Sequence, residues 1–336
     1  MFSRWSYRYL RALTKINYLS QLLLIFLALF FENKNKNKKL IGDIKFKNIY
    51  LGNKVFSNCV IDYKLNVNLI DISTLGKFCF DNSIIILNNN DFRNESCFHV
   101  VSKIKRDSNN LRICIWDFDN HHAIANSMRL LYLSDIYFSA HQHNFDYLRH
   151  ASSSFLGVLP ACVIQWSKEF LTRSLQYMQS VPRSNELFGA HIYYSFFNRR
   201  NKIIDAVSMN FPNVCFSKLN YHDRTIEDRF AEWCHYKVHF IAPVDNDLPI
   251  RLFDALITGG IPLVPIQLKT LLHALSIDRF VVFYDELNLD LLNLKVEEAI
   301  AKFDKEGAEG MAKRIKHTMV YHHVDARISF LINFSL

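Results

Sequence analysis

Two charged residues one helical turn apart form the strongest candidate site in the sequence. Arg251 and Asp254 lie at the predicted start of a short helix, after Pro249 and after a polar turn that ends at Asp247. Asp247 is a third candidate binding residue of the same site, because ligands of parallel sheets sit at the carboxyl ends of the strands. A helix N-terminus beside an arginine can hold a phosphate group, because unpaired backbone N–H groups and a guanidinium both neutralise negative charge. A carboxylate one turn further on can accept hydrogen bonds from hydroxyl groups. The structural alternative is an ion pair between the two side chains on the helix surface.

A second pair of arginines follows another predicted strand. Arg199 and Arg200 come after the apolar run 187–194. Ligands of parallel α/β sheets bind at the carboxyl ends of the strands, so the sequence predicts a second phosphate contact here. The alternative is that both arginines are solvated at the start of a helix.

Acidic residues and histidines follow a predicted strand in the N-terminal half. The apolar run 111–116 leads into Asp117-Phe118-Asp119-Asn120-His121-His122. Asp119, His121 or His122 could act as the general base that takes a proton from a hydroxyl group, because carboxylates and imidazoles can be tuned to titrate near neutral pH. The structural alternative is a turn that caps a helix.

The same motif has an interpretation in another enzyme class. A strand leading into Asp117-x-Asp119 resembles the nucleophile motif of haloacid-dehalogenase-type phosphatases, whose first Asp is phosphorylated and whose second acts as acid and base. That family has Thr or Val two residues after the second Asp, where this sequence has His121. No convincing downstream acidic pair for magnesium follows, so the sequence departs from the phosphatase pattern twice.

The stretch 237–267 contains the elements that would position Arg251 and Asp254. The apolar runs 238–242 and 261–266 each predict a buried strand. Between them, residues 252–257 place apolar side chains on one helical face, and the double glycine at 259–260 ends that helix. Strand, helix and strand predict a βαβ unit with parallel strands and a right-handed crossover.

This stretch also resembles a known family. The run Arg-Leu-Phe-Asp-Ala-Leu at 251–256, followed by Gly-Ile-Pro-Leu-Val at 260–264, resembles the donor-binding segment of exostosin-type glycosyltransferases. More broadly it is similar to sugar-nucleotide transferases with two facing Rossmann-like domains, the GT-B arrangement. The likeness is strongest over 237–267 and loose over 187–330. It implies that Arg251 belongs to a donor site and that Asp254 accepts from ribose hydroxyls. Asn246 stands where the broader pattern has a second acidic residue, so the stereochemical outcome is not assigned.

Composition narrows the class of protein. Half of the 336 residues are hydrophobic and 14% are aromatic, which predicts a folded chain with a sizeable core. The net charge of +8 suits an enzyme of anionic substrates or a protein on anionic lipid. Nucleic acid is not expected as a partner, because no basic run is interleaved with aromatics. Seven cysteines without C-x-x-C spacing favour neither a disulfide framework nor a zinc site, and they indicate a reducing compartment.

The first 40 residues are a separate segment. Basic residues at positions 4, 8, 11 and 15 precede the apolar stretch 18–31, which is shorter than the roughly 20 apolar residues that span a bilayer. Three interpretations remain: an amphipathic helix at a membrane surface, a short signal-anchor, or a helix packed on the protein. The lysines that follow oppose simple export. We therefore expect the cytoplasmic side of a membrane, peripheral or signal-anchored, with a single-pass membrane protein as the alternative.

Other patterns predict further elements. The apolar runs 98–101 and 214–216 each predict a strand. Helices are expected around 295–303 and from about 309 to 322, and the tail 328–336 is apolar enough to pack back on the body.

Together these features predict an α/β protein with two facing Rossmann-like domains of the GT-B type and an N-terminal hydrophobic helix. The expected parts are the basic, hydrophobic segment with its Lys–Asn linker at 1–40, an acceptor domain at 41–150, a connection at 151–185 and a nucleotide-sugar donor domain at 186–336. The resemblance implies transfer of a sugar from a nucleoside-diphosphate sugar to a glycan or lipid-linked acceptor, with no cofactor and no metal. The alternatives are the phosphatase and a non-catalytic glycan-binding protein of the same fold.

Overall fold

A computed structural model describes residues 46–57, 59–60, 66–75, 79–92, 94–118, 124–140, 155–193, 197–215, 224–244 and 247–336. The predicted N-terminal helix and linker at 1–40 lie outside these residues. Within the described residues, no helix combines the length and the apolar character that crossing a membrane requires.

The chain divides into two compact units, and neither is one continuous segment. Unit 1 comprises 1–54, 63–159 and 335–336, whereas unit 2 comprises 55–62 and 160–334. The main boundary therefore falls after Leu159. This boundary lies within the predicted connection 151–185, which contains a strand and two helices where it is described.

Unit 1 is built on a six-stranded sheet in which every described pairing is parallel. Its order is β2-β1-β3-β4-β5-β6, so the direction in which strands are added reverses at β1. The strands are β1 Asn48–Gly52, β2 Asn66–Ile70, β3 Ser83–Asn88, β4 Arg112–Asp117, β5 Ile136–Ser139 and β6 Phe155–Val158. β3 is buried at every position, as expected for a central strand covered on both faces.

The helices of unit 1 correct part of the sequence-based prediction. The run 98–101, predicted as a strand, lies in helix α2. Asn94 caps that helix by accepting from the Ser96 N–H, and the buried residues Phe98, Val101 and Ile104 recur with helical spacing. A four-residue apolar run is too short to distinguish the two periods. The helices here are α1 Asn53–Phe56, which runs across the boundary into unit 2, α2 Glu95–Asp107 and α3 Ile124–Leu133.

Unit 2 is built on a four-stranded parallel sheet whose strands follow each other in chain order, β7-β8-β9-β10. Val238 of β8 pairs with Ile261 of β9 in parallel register, which confirms the predicted βαβ unit. The predicted strand 214–216 is instead a 3₁₀ turn at Pro212–Val214 followed by a single bridge from Cys215 to His191. The strands are β7 Ser184–Phe188, β8 Tyr236–Phe240, β9 Ile261–Pro265 and β10 Val282–Tyr284.

The helices of unit 2 surround one large apolar core. The two helices predicted in the C-terminal region are joined across a kink at Gly307, where φ is 54° and ψ is −149°. The C-terminal helix buries Ile328, Leu331 and Ile332, so the predicted packing of the tail is confirmed. The helices are α4 Lys168–Arg173, α5 Leu175–Ser180, α6 Asn198–Ser208, α7 Ile226–His235, α8 Ile250–Ile257, α9 Lys269–Ala274, α10 Leu292–Tyr321 and α11 Val324–Ser335.

Candidate functional site

The helix that carries Arg251 and Asp254 is defined sharply at both ends. Pro249 occupies the N-cap position of α8, with extended backbone at ψ 156°, one residue before the first helical turn. At the other end Gly259 has φ 85°, and its N–H donates to Leu256 while the Gly260 N–H donates to Ala255. This is a Schellman motif, which needs a residue that tolerates positive φ. α8 therefore begins beyond the carboxyl end of β8 and ends directly before β9.

Arg251 connects the start of α8 to the neighbouring strand. Its Nε donates a hydrogen bond to the carbonyl of Ala190, two residues beyond the end of β7. The side chain is half-buried, and within the described part of the chain no hydrogen bond or ion pair joins its two terminal nitrogens. The guanidinium is thereby fixed at the carboxyl edge of the sheet with two donor groups available to a ligand.

Asp254 is fully buried, contrary to the ligand-facing position that the resemblance implies. Gln165 donates from Nε2 to its Oδ2 at 2.6 Å, and Oδ1 has no partner among the described residues. Burial raises the pKa of this carboxyl to about 8, although the Arg251 charge and the Gln165 hydrogen bond act in the opposite direction. The acid is therefore largely protonated at neutral pH. A buried Asp254 forms neither the ribose contact that the resemblance implies nor the ion pair with Arg251 on the helix surface that was the structural alternative.

The other predicted donor residues also have structural partners. Arg200 is buried and donates to the carbonyls of Ala242 and Ile192 at 3.0 and 2.7 Å. Asp247 is buried, and its Oδ1 accepts from the Val244 N–H at 2.7 Å, which closes the turn before α8. Arg200 is thus neither the solvated residue nor the ligand contact predicted from the sequence.

Arg199 is the second arginine that a ligand can reach. Its side chain is 71% exposed, and Nη2 lies 3.0 Å from Oε2 of Glu286, which follows β10. Glu286 is partly buried, and burial raises the pKa of its carboxyl above the ordinary value. An anion bound beside Arg199 would therefore compete with a nearby carboxylate for the same guanidinium.

His191 and Gln165 are two site residues that sequence analysis missed. His191 is fully buried, and burial holds the pKa of its imidazole well below the ordinary value, with the Arg251 and Arg200 charges acting in the same direction. Its Nδ1 lies 3.2 Å from Nη2 of Arg200, and because a guanidinium only donates, the proton of the ring belongs on Nε2, facing the Phe240 carbonyl at 2.8 Å. No local sequence signal identifies either residue, since Phe240 lies 49 residues from His191 and Asp254 lies 89 residues from Gln165.

In unit 1, Asp117 lies at the end of β4 and is almost fully buried. The hydroxyl of Tyr137 donates to its Oδ2 at 2.5 Å, so the carboxylate does not present a nucleophile to a substrate, as the phosphatase interpretation requires. Asp119, His121 and His122 lie outside the described residues. Their predicted role as general base stays a prediction.

Comparisons with known proteins add little to this description. No protein-family model matches the chain, and no curated protein matches it. Among solved structures, one that matches is the crystal structure of an α,α-trehalose 6-phosphate synthase from Burkholderia multivorans, with 8% sequence identity and a TM-score of 0.44, covering 75% of this chain and 71% of that chain.

Proposed function

We propose that this protein transfers a glycosyl group from a nucleoside-diphosphate sugar to a glycan or lipid-linked acceptor. The observation that supports the proposal is the position of Arg251, in the first turn of α8 at the carboxyl edge of a parallel sheet. Its Nε donates to the Ala190 carbonyl, and its terminal nitrogens have no hydrogen bond or ion pair among the described residues. The leaving diphosphate gains negative charge as the glycosidic bond breaks, and a fixed guanidinium beside a helix N-terminus stabilises that charge.

In the proposed site Arg251 is the main donor-binding residue, and Arg199 is a second, more exposed contact. Three buried residues have supporting roles. Arg200 binds the Ala242 carbonyl in the loop after β8, and Asp247 closes the turn before α8. Asp254 connects α8 to Gln165 through a hydrogen bond. Asp119, His121 or His122 would supply the acceptor base. Residues 1–40 would keep the enzyme at a membrane surface where lipid-linked acceptors collect.

The donor-binding role of Arg251 is tested by titrating UDP, GDP and CMP into the wild type and into Arg251→Ala by calorimetry. Loss of a charge-assisted hydrogen bond should weaken binding of the preferred nucleotide by about 1.5–3 kcal/mol. Arg279→Ala is the matched control, because Arg279 is an exposed arginine just before β10, at the amino-terminal edge of the same sheet. Equal affinity in the wild type and in Arg251→Ala would contradict the proposal.

Transfer without a metal is a separate part of the proposal. Among the described residues no group of three His, Cys, Asp or Glu side chains is arranged to hold a metal ion. If arginine and helix-end amides neutralise the diphosphate, a chelator should leave turnover unchanged, and added Mg²⁺ or Mn²⁺ should not raise it. Loss of turnover on chelation, restored by one of these ions, would show that a metal takes part.

One observation favours a non-catalytic carbohydrate-binding protein as the second candidate. Of the predicted donor residues within the described part of the chain, Arg200, Asp247 and Asp254 are buried and only Arg199 and Arg251 can meet a ligand. A thermal-shift screen with UDP-, GDP- and CMP-linked sugars separates the two. A shift with one donor supports the transferase, whereas silence across all of them together with binding of a free glycan supports the alternative.

A further inference from the structure

Helix α11 carries apolar side chains on opposite faces. Ile328, Leu331 and Ile332 are fully buried on one face. Phe330 and Phe334 lie on the other face, where they are 45% and 39% exposed. A helix that is apolar all round is normally covered on every side, because large apolar side chains are unfavourable in water. We therefore expect a further segment to cover the second face of α11.

The exposed face of α11 is continuous and carries no charge. Its residues recur with the spacing of three and four that places side chains on the same side of a helix. They are called the α11 outer face here and comprise Ala326, Ser329, Phe330, Asn333 and Phe334. The ring centroids of Phe330 and Phe334 lie 6.0 Å apart. A contiguous apolar surface without charges suits an apolar partner.

The described part of the chain begins beside the end of α11. Phe46 is its first residue, and the guanidinium carbon of Arg112 lies 5.0 Å from the centroid of the Phe46 ring. Nη1 of Arg112 also donates to the carbonyl of Ser335, the last residue of α11. Phe46, Arg112 and Ser335 all belong to unit 1. The N-terminal segment is therefore attached to the fold beside the C-terminal end of α11.

This segment contains a stretch of matching character and size. Residues 22–31 are apolar without interruption, and as a helix they would be about 15 Å long. At the same rise per residue, the α11 outer face extends over roughly 12 Å from Ala326 to Phe334. Residues 32–45 can span up to about 50 Å when extended. They are therefore long enough for the apolar stretch to fold back onto α11.

The attachment favours this stretch over a separate molecule. A tethered segment meets its docking surface at an effective concentration in the millimolar range, whereas a second chain meets it only at its own concentration. The residues before the stretch differ, because positions 4, 8, 11 and 15 are basic. The uncharged outer face has no counterion for them, so they would stay outside the contact and remain available to anionic lipid.

We propose that the apolar stretch 18–31 of this chain packs on the α11 outer face. The N-terminal segment is then a docked element of the fold, and its basic residues form a fixed surface for anionic lipid. Binding to a membrane surface would follow from the charge of the lipid headgroups, while the apolar residues stay within the protein. The inference does not rest on the proposed transfer reaction, because no residue of either surface is placed in the donor site.

Photo-crosslinking in the full chain tests the contact, with p-benzoylphenylalanine in place of Leu24 or of Leu27. Mass spectrometry should find crosslinks from both positions to the peptide 328–336, within a single chain. The same probe in place of Asn35, between the stretch and Phe46, is the control and should give no dominant product. Crosslinks that join two chains would show that a second copy covers the face. That result, or the absence of crosslinks to α11, would overturn the proposal.

Vesicles distinguish docking on α11 from insertion into a bilayer. The yield of crosslinks should be the same with and without vesicles of phosphatidylcholine and phosphatidylserine, because the apolar stretch is already buried against the protein. Loss of the crosslinks when vesicles are added would assign the stretch to the bilayer and reject docking on α11.

A charge on the α11 outer face should break the contact. Phe334→Asp should lower the crosslink yield from the Leu24 position about tenfold, because a carboxylate would be buried against apolar side chains. Asn333→Asp, a smaller change at an exposed position of the same face, should lower the yield in the same direction and preserves the fold if Phe334→Asp does not. Tyr177→Asp is the matched control, since Tyr177 is an aromatic residue on α5 with 42% exposure; its yield should be unchanged. Wild-type yields in both outer-face variants would contradict the proposal.

Discussion

The carboxyl edges of the two sheets differ in how far the fold itself uses their hydrogen-bonding groups. In unit 2 the charged residues are mostly engaged internally: Arg200 donates to two backbone carbonyls, and Asp247 closes a turn. In unit 1 the side-chain oxygens of Asn53 and Asn89, directly after β1 and β3, have no donor among the described residues. The strand orders differ too, because the sheet of unit 1 reverses at β1 whereas the strands of unit 2 follow chain order.

This difference shows that charge at a strand end is a poor measure of ligand binding. A buried arginine or carboxylate is stable only with partners, so the fold tends to pair it and leaves less for a ligand. An unpaired neutral amide costs less free energy than an unpaired charge, and asparagine residues give a weaker signal of a binding site in a sequence. The variants below test whether the charged residues at the edge of unit 2, apart from Arg251 and Arg199, are structural, and how closely the edge of unit 1 is packed.

We expect the largest effect from Asp254→Asn. The quantity measured is the change in the free energy of unfolding with pH. The folded pKa is about 8 and the ordinary value is 3.8, so the unfolded chain loses the proton first. The free energy of unfolding should fall as pH rises, by up to about 4 kcal/mol between about pH 5 and about pH 8. Asn cannot ionise and should remove this slope in urea unfolding. Asp290→Asn, at an exposed carboxylate, should leave it unchanged; the same slope in Asp254→Asn would show that this acid is not buried in solution.

Arg200→Met should destabilise the protein by about 3 kcal/mol, because carbonyl oxygens of Ala242 and Ile192 lose their donors in a buried place. Arg199→Met is the matched control: its exposed ion pair with Glu286 predicts a change within about 1 kcal/mol. Chemical denaturation of both variants measures this. If Arg200→Met folds with wild-type stability but loses nucleotide affinity, Arg200 is a ligand residue and the contrast between the two edges fails.

His239→Leu tests a buried polar group inside strand β8. His239 is in β8, stacked on Trp233 and fully buried, and neither ring nitrogen has a partner among the described residues. Burial lowers the pKa of its imidazole from 6.5 to about 3, so the unfolded chain binds a proton first as pH falls. The wild type should lose about 2 kcal/mol of stability from this residue between about pH 7 and about pH 5.

In His239→Leu that loss should disappear, with stability at pH 7 equal or higher because an unpaired polar group has been removed. Urea unfolding at both pH values measures it. The buried His191 and His322, whose pKa values are also lowered, will keep part of the acid sensitivity in either protein. A variant that is less stable at pH 7 would show that His239 has a partner in solution.

Gly52→Ala should have the smallest effect on stability, on the order of 1 kcal/mol, since the new methyl group displaces the Asp91 carboxylate from its two N–H donors. Thermal unfolding of the variant and the wild type measures this effect. An unchanged melting temperature would show that the Asp91 carboxylate keeps its two donors beside an alanine.

Much of the architecture follows from the sequence alone. The βαβ unit around α8 was predictable, because two apolar runs and a double glycine each permit few alternatives. The run 98–101 was misassigned because four apolar residues fit either period, and the Asn94 cap was the signal that could have corrected it. The order of the strands could not be predicted, since periodicity shows that a strand exists and not which strand it pairs with.

The position of the candidate site in the fold could be predicted from the sequence, but the solvent exposure of its side chains could not. The sequence puts Arg251 at the start of a helix after a strand, and the structure agrees. Nothing near Asp254 indicates its burial, because Gln165 lies 89 residues away along the chain. The carbonyl that holds Arg200 likewise comes from a loop 42 residues away. Accessibility is a property of such distant contacts, and a single sequence does not encode them in any local pattern.

Unit 2 is formed by two separate segments of the chain, which limits how it can be expressed without unit 1. The strip 55–62 belongs to it, and the N–H of Val60 from that strip donates to Oδ1 of Asp325 at 3.1 Å. A gene cut after Leu159 would discard the strip and take a donor from a carboxylate that is nearly buried. An autonomous C-terminal half therefore has to carry those eight residues with it, by co-expression or by circular permutation, and recombination at the obvious boundary would exchange an incomplete module.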